Sequence, residues 1–182
     1  MIPAKMFSGV DVFVLLAIPM FIVAGNLMNF AGISKRLIRF SMAMVGSLPG
    51  GLAMVNIVSL MFCSGVTGAA SADIAAVGSI LIPAMRKQGY SDGFCAALTS
   101  VASSMGPIIP PSILFVVYGF LANVSIASLF LAGVVPGVVI CLAMMITVYV
   151  LAKKHHYPRG DRFSFSVLAR ETKSASLALL LP

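Results

Sequence analysis

Of 182 residues 60% are hydrophobic and only 9% charged, against about 25% charged in ordinary soluble domains. So few charged side chains cannot cover a globular surface, and a mean hydropathy of +1.07 points to an all-α, polytopic integral membrane protein. The net charge of +7 comes from 12 Lys and Arg gathered in a few clusters between long uncharged stretches, the pattern of membrane-loop charges and not the continuous basic surface that nucleic acid requires.

Lys5 and Asp11 precede an apolar run that lacks a small-residue cleavage site, so this run is expected to be retained and not removed as a signal peptide. Residues 12–34 are uncharged over 23 positions, enough at about 1.5 Å per residue to span a hydrocarbon core of about 30 Å. Pro19 is expected to kink this first spanning helix. Lys35, Arg36 and Arg39 follow it, which makes 35–48 a cytoplasmic or interfacial connector by the positive-inside rule.

Residues 49–85 are interrupted at Pro49-Gly50-Gly51 and again over Ser64-Gly65-Val66-Thr67-Gly68. The arms between these breaks, 51–63 and 70–85, reach only about 20 to 24 Å, short of the hydrocarbon thickness. Arg86-Lys87 then repeats the basic signal, so the segment reads as a re-entrant helical hairpin. Two full spans would satisfy the same charge pattern; the short arms and the glycine-rich tip favour re-entry.

The uncharged stretch 93–152 contains Gly106-Pro107-Ile108-Ile109-Pro110-Pro111-Ser112, and three prolines in seven residues cannot continue a helix. Residues 93–122 are therefore one spanning element broken into half-helices over 94–105 and 113–121. A second spanning helix is expected over 126–152, then a polar cytoplasmic connector over 153–174 and the start of a truncated helix over 175–182. Cys63, Cys95 and Cys141 have neither CxxC nor Cys/His spacing and read as small buried hydrophobes.

Non-helical backbone is tolerated at membrane depth only inside protein or beside a wet cavity. Residues 64–71 offer hydroxyls, free carbonyls and glycines that permit close approach of an ion, and 106–112 offer carbonyls that prolines cannot help satisfy. Paired broken elements of this kind are a signature of secondary transporters, in which they hold coupling ions and the anionic group of a substrate. The same small residues equally suit close helix packing, and the proline break equally suits a kink. Asn56, Ser64, Ser71 and Asp73 are candidate substrate contacts. Asp73 reads either as a proton or cation relay or as an acid capping a helix N-terminus. Asn56 reads either as a ligand to substrate or as an interhelical hydrogen bond. His155 and His156 belong to the basic loop and read as solvated. Enzyme chemistry is not supported, because no His or Lys falls within a membrane segment to activate a serine, and no second Asp lies at depth.

These stretches together resemble the large membrane subunit of tripartite ATP-independent periplasmic (TRAP) transporters. The matching residues are 15–28 (LLAIPMFIVAGNLM), 32–37 (GISKRL), 49–58 (PGGLAMVNIV), 62–73 (FCSGVTGAASAD), 82–90 (IPAMRKQGY), 106–112 (GPIIPPS) and 125–137 (SIASLFLAGVVPG). The resemblance implies one inverted repeat of an elevator-type sodium symporter for organic acids, C4-dicarboxylates or sugar acids, in the bacterial inner membrane. No cofactor is implied, sodium being the coupling ion. The implied partners are a small membrane subunit, a periplasmic substrate-binding protein and membrane lipid. It further implies a sodium site at Thr67 and Gly68 on the hairpin tip and at the carbonyls of Gly106, Ile109 and Pro111 on the broken helix.

The chain departs from the family where Ser-Gly-Ser-Ala is common, reading Thr67-Gly68-Ala69-Ala70, so one hydroxyl is missing at the tip. It is also about one repeat long, where the family carries two. The expectation is therefore a partial permease that does not complete alternating access alone. The alternatives are a non-transporting packing or assembly subunit and an inactive gene remnant. A channel is disfavoured because intramembrane polar residues are scarce.

Overall fold

A computed structural model describes residues 13–155, 157–158 and 164–179. Lys5, Asp11, His156 and the residues at 159–163 and 180–182 lie outside the described residues, and with them the ends of the first and last expected segments.

Helix α1 (Phe13–Phe30) contains Pro19 and gives way to a turn at Gly32, whose φ of 78° is costly for any residue with a Cβ. Helix α2 (Ile33–Val45) occupies most of the stretch expected as a connector. Nothing from Ser34 to Val45 breaks a helix, and Ser34, Leu37, Ile38, Ser41 and Val45 recur at helical spacing on a buried face. The basic residues that suggest a cytoplasmic or interfacial connector, Lys35, Arg36 and Arg39, lie on the exposed face of the same helix.

Helix α3 (Gly51–Thr67) is the centre of the molecule. Every residue from 51 to 60 is buried, as suits a helix with no charged side chain on any face, and α1, α2, α6 and α8 contact it. It runs through the expected break and ends only at Gly68, with φ 60°. Gly65 is thus helical, and the interruption shrinks to Gly68 and Ala69. The chain then reverses into α4 (Ala70–Asp73), a π-helical turn (Ile74–Gly78) and α5 (Ser79–Lys87), all of which pack back against α3.

Helix α6 (Asp92–Ser103) starts at Ser91, whose Oγ accepts from the Phe94 N–H at 3.3 Å in an N-cap. The proline-rich segment interrupts it, and α7 (Ile113–Ala122) resumes with Ser112 as its cap. Helix α8 (Ile126–His155) is the one helix among the described residues long and apolar enough to cross a membrane. At 30 residues it measures about 45 Å. Leu131, Val135, Leu142, Ile146 and Val150 leave an apolar face of α8 exposed, a surface suited to lipid or to another apolar surface. Helix α9 (Phe165–Leu179) begins ten residues before the helix expected at 175. Its polar residues had suggested a connector, yet the described residues from Phe165 contain neither Pro nor Gly, and α9 packs along α2.

Near the start of α3 the rings of Tyr90, Phe94 and Tyr157 cluster, with Tyr90 and Tyr157 centroids 4.2 Å apart. Gly50 (φ 72°) makes this junction possible, since a Cβ there would stand 2.8 Å from the Ala152 Cβ. The start of α3 is thereby tied to α8, leaving its far end to be positioned by other elements.

A hairpin tip facing a proline break

The tip is held by its own side chains. Asp73, fully buried, accepts from the Thr67 hydroxyl at 2.6 Å through Oδ1 and from the Ser64 hydroxyl at 3.0 Å through Oδ2. Ser64 and Thr67 are three residues apart on the last turn of α3 and so share a face, which Asp73 meets from the first turn of the returning arm. The Ser64 proton is divided between Asp73 and the Leu60 carbonyl, 2.6 Å away. Asp73 therefore binds the end of α3 to the first turn of α4, and among the described residues no backbone N–H donates to it. Among the described residues no Lys or Arg forms an ion pair with it.

Across from the tip lies the proline break. A Cβ on Gly68 would stand 2.8 Å from the Pro111 carbonyl oxygen and 3.4 Å from the Ile113 nitrogen, and one on Gly65 would stand 3.4 Å from the Pro110 carbonyl oxygen. From the other side, a Cβ on Gly106 would stand 3.2 Å from both the Ala70 nitrogen and Asp73 Oδ2. The missing side chains at Gly65, Gly68 and Gly106 thus let two lengths of backbone, about 40 residues apart in sequence, approach almost to contact. Helix α1 closes a further side, its Gly25 packing against the Thr67 Cα.

The break itself is ordered from within. Met105 O accepts from the N–H groups of Ile108 and Ile109 at 3.0 and 2.9 Å. Ser112 Oγ donates to the Pro107 carbonyl at 2.7 Å and accepts from the Phe115 N–H at 3.4 Å. Among the described residues no donor reaches the carbonyls of Ile108, Ile109, Pro110 or Pro111, and the Pro110–Pro111 peptide is cis. Unpaired carbonyls beside hydroxyls and a carboxylate make an oxygen-rich environment, which suits a hard cation. Among the described residues no three His, Cys, Asp or Glu cluster as a transition metal would need.

Of the residues singled out in the sequence, Ser64, Thr67, Gly68, Asp73, Gly106 and Pro111 converge here. Ile109 belongs to the break, where no donor among the described residues reaches its carbonyl, while its side chain turns toward α8 at Gly137. Ser71 is exposed. Asn56 lies about two turns of α3 before Ser64 and donates to Thr99 Oγ1 on α6 at 2.7 Å; its Oδ1 is buried without a partner. The bond to Thr99 is interhelical, joining α3 to α6. Sequence reasoning missed Ser112, although a serine that follows prolines and precedes an apolar run is an N-cap signal. It also missed Gly133 and Gly137 of α8, whose four-residue spacing is the trace of a close packing face.

The whole chain, residues 1–182, matches the family described as tripartite ATP-independent periplasmic transporter, DctM component. It is 40% identical over 178 residues to the sialic acid TRAP transporter large permease protein SiaM of Vibrio cholerae, covering 98% of this chain and 42% of that protein. It is 41% identical over 169 residues to the C4-dicarboxylate TRAP transporter large permease protein DctM of the same organism, covering 93% of this chain and 37% of that one. It is 45% identical over 148 residues to the isethionate TRAP transporter permease protein DctMQ of Oleidesulfovibrio alaskensis, covering 81% and 23% respectively. The chain spans less than half the length of these relatives.

Proposed function

Because the chain belongs to the DctM component family of tripartite ATP-independent periplasmic transporters, we propose that it forms part of the permease of a sodium-coupled importer of organic acids. In this reading 49–85 is a re-entrant hairpin and 93–122 a broken membrane-spanning element within one inverted repeat of an elevator-type, multi-pass inner-membrane protein. Sodium bound between tip and break orders both, and the ordered pair completes a site for the anionic group of the substrate. The observation that carries the proposal is the close approach of Gly65 and Gly68 to the Pro110 and Pro111 carbonyls, which no protein donor satisfies among the described residues. Asp73 adds a buried carboxyl beside them, a further pair of oxygens in the region.

The relatives' names span sialic acid, C4-dicarboxylates and isethionate, all organic anions, and the substrate proposed here is of that class. A small membrane subunit and a periplasmic binding protein are the proposed partners. The permease named DctMQ, in which a relative of this chain occupies only part of a longer protein, supports the first of them.

The test is uptake of the organic acid by the complete permease in proteoliposomes, with its small subunit and binding protein. Thr67→Val and Ala69→Val are expected to raise the sodium concentration for half-maximal uptake or to abolish uptake. Uptake with unaltered sodium dependence in both variants would overturn the assignment and favour a packing role for the tip.

A further inference from the structure

The carbonyls of the proline break point two ways. Those of Pro110 and Pro111 approach Gly65 and Gly68, whereas the Ile108 carbonyl approaches α8: a Cβ on Gly133 would collide with Ile108 O and stand 2.5 Å from Phe115 Cε2. One turn further along α8, a Cβ on Gly137 would stand 2.5 Å from Ile109 Cγ1. Both glycines are buried in a helix whose other face is largely exposed. The break is thus clamped between two glycine-bearing surfaces, the tip on one side and α8 on the other.

From this geometry we infer that Gly133 is a positioning residue for the cation site, a role that rests on the sodium reading above and extends it to α8. Its lack of a side chain sets how far the Ile108 carbonyl sits from α8, and through the short stretch Ile109-Pro110 it sets where the next carbonyls stand relative to Gly65 and Gly68. A Cβ at Gly133 would meet the Ile108 backbone carbonyl, which cannot rotate aside as a side chain can, and also the Phe115 ring. An alanine there forces the break and α8 apart by roughly half an ångström or more, until the Cβ reaches the 3.0 Å that Cβ atoms tolerate. A binding site holds its geometry only within about 0.5 Å, so this displacement is large enough to misalign the carbonyls. Gly137 meets the Ile109 side chain instead, and its replacement is expected to act in the same direction more weakly.

The test reads sodium binding and not transport. The melting temperature of the full-length gene product in detergent is followed against NaCl, with choline chloride holding ionic strength constant. The wild type is expected to show a saturable, sodium-specific rise. Gly133→Ala is expected to raise the half-saturating sodium concentration about tenfold, and Gly137→Ala about threefold. Gly119→Ala is the control, because its Cβ would crowd Ile126 and Leu129 and the Val124 carbonyl, not the break; it is expected to lower the melting temperature with the midpoint unmoved. Gly137→Ala carries the test if Gly133→Ala does not fold. A wild type without a sodium-specific rise would overturn the sodium reading and this inference together. A responsive wild type whose two α8 variants keep its midpoint within twofold, or whose Gly119→Ala control shifts it as far, would overturn the inference alone.

Discussion

Replacing Thr67 with valine exchanges a hydroxyl for a methyl of similar volume on an equally β-branched side chain, so the change reads hydrogen bonding and not packing. In the protein the Thr67 hydroxyl lies 2.6 Å from Asp73 Oδ1, and the carboxyl is fully buried. A hydrogen bond to a charged acceptor contributes about 1.5–3 kcal/mol, and a buried oxygen left without its donor costs about 1–3 kcal/mol. These two figures describe overlapping losses, so Thr67→Val is expected to destabilise by about 2 kcal/mol. Ser64→Ala should cost less, about 1 kcal/mol, because its contact with Asp73 is longer at 3.0 Å and the Leu60 carbonyl competes for its proton at 2.6 Å, whereas the Cys63 carbonyl stands 3.4 Å from the Thr67 hydroxyl. The assay is equilibrium unfolding of the purified chain in mixed micelles, followed by circular dichroism. A double-mutant cycle of Thr67→Val with Asp73→Ala isolates the pair and should give a coupling of about 1–2 kcal/mol. A coupling below about 0.5 kcal/mol, or a larger loss from Ser64→Ala than from Thr67→Val, would refute the account of Asp73 as the bond between the arms.

Gly68→Ala should destabilise by about 2–3 kcal/mol in the same assay, since its φ of 60° and the Pro111 carbonyl 2.8 Å from the new Cβ both oppose a side chain; an effect within about 0.5 kcal/mol would show that tip and break do not meet as described. Asn56→Leu removes a donor to Thr99 together with an oxygen that has no partner, so stability should change by no more than about 1 kcal/mol and the sodium midpoint should not move. A shifted midpoint in that variant would return Asn56 to the binding site. Arg39→Ala loses only the 3.8 Å pair with Glu171, in which the arginine side chain is 61% exposed, and should cost less than about 0.5 kcal/mol by the same unfolding measurement, with a loss above about 1 kcal/mol contradicting it.

The interruptions are legible in the sequence because their causes are local. Three prolines crowded into 106–112 remove successive donors, and Gly68 ends α3 in the left-handed region that glycine favours. What each interruption faces is not local. The meeting of Gly68 with Pro111 and of Gly133 with Ile108 joins segments separated by 25 to 43 residues, and no periodicity reports such a contact. Gly65 shows the limit of reading glycines as breaks, since a single glycine is tolerated in a helix held by tertiary packing. Helix α2 shows that a segment read from its charges as a connector can still be helical. Its basic residues follow a hydrophobic run and suggest a connector, but the 3.6-residue spacing of Ser34, Leu37, Ile38, Ser41 and Val45 was present in the same letters and specifies a helix with one buried face. Asp73 could be identified as an unusual buried acid from its surroundings, whereas its role as the bond between arms depended on Ser64 and Thr67 reaching one carboxyl, a matter of side-chain geometry.

The claim that a cation is held between hairpin tip and proline break is tested most directly by hydrogen–deuterium exchange of the full-length gene product in sodium and in potassium at equal ionic strength. The account predicts sodium-specific slowing of exchange in peptides covering residues 64–73 and 106–116, with α2 and the middle of α8 unchanged. Equal exchange of both segments in the two salts, or slowing spread evenly over the chain, would contradict it.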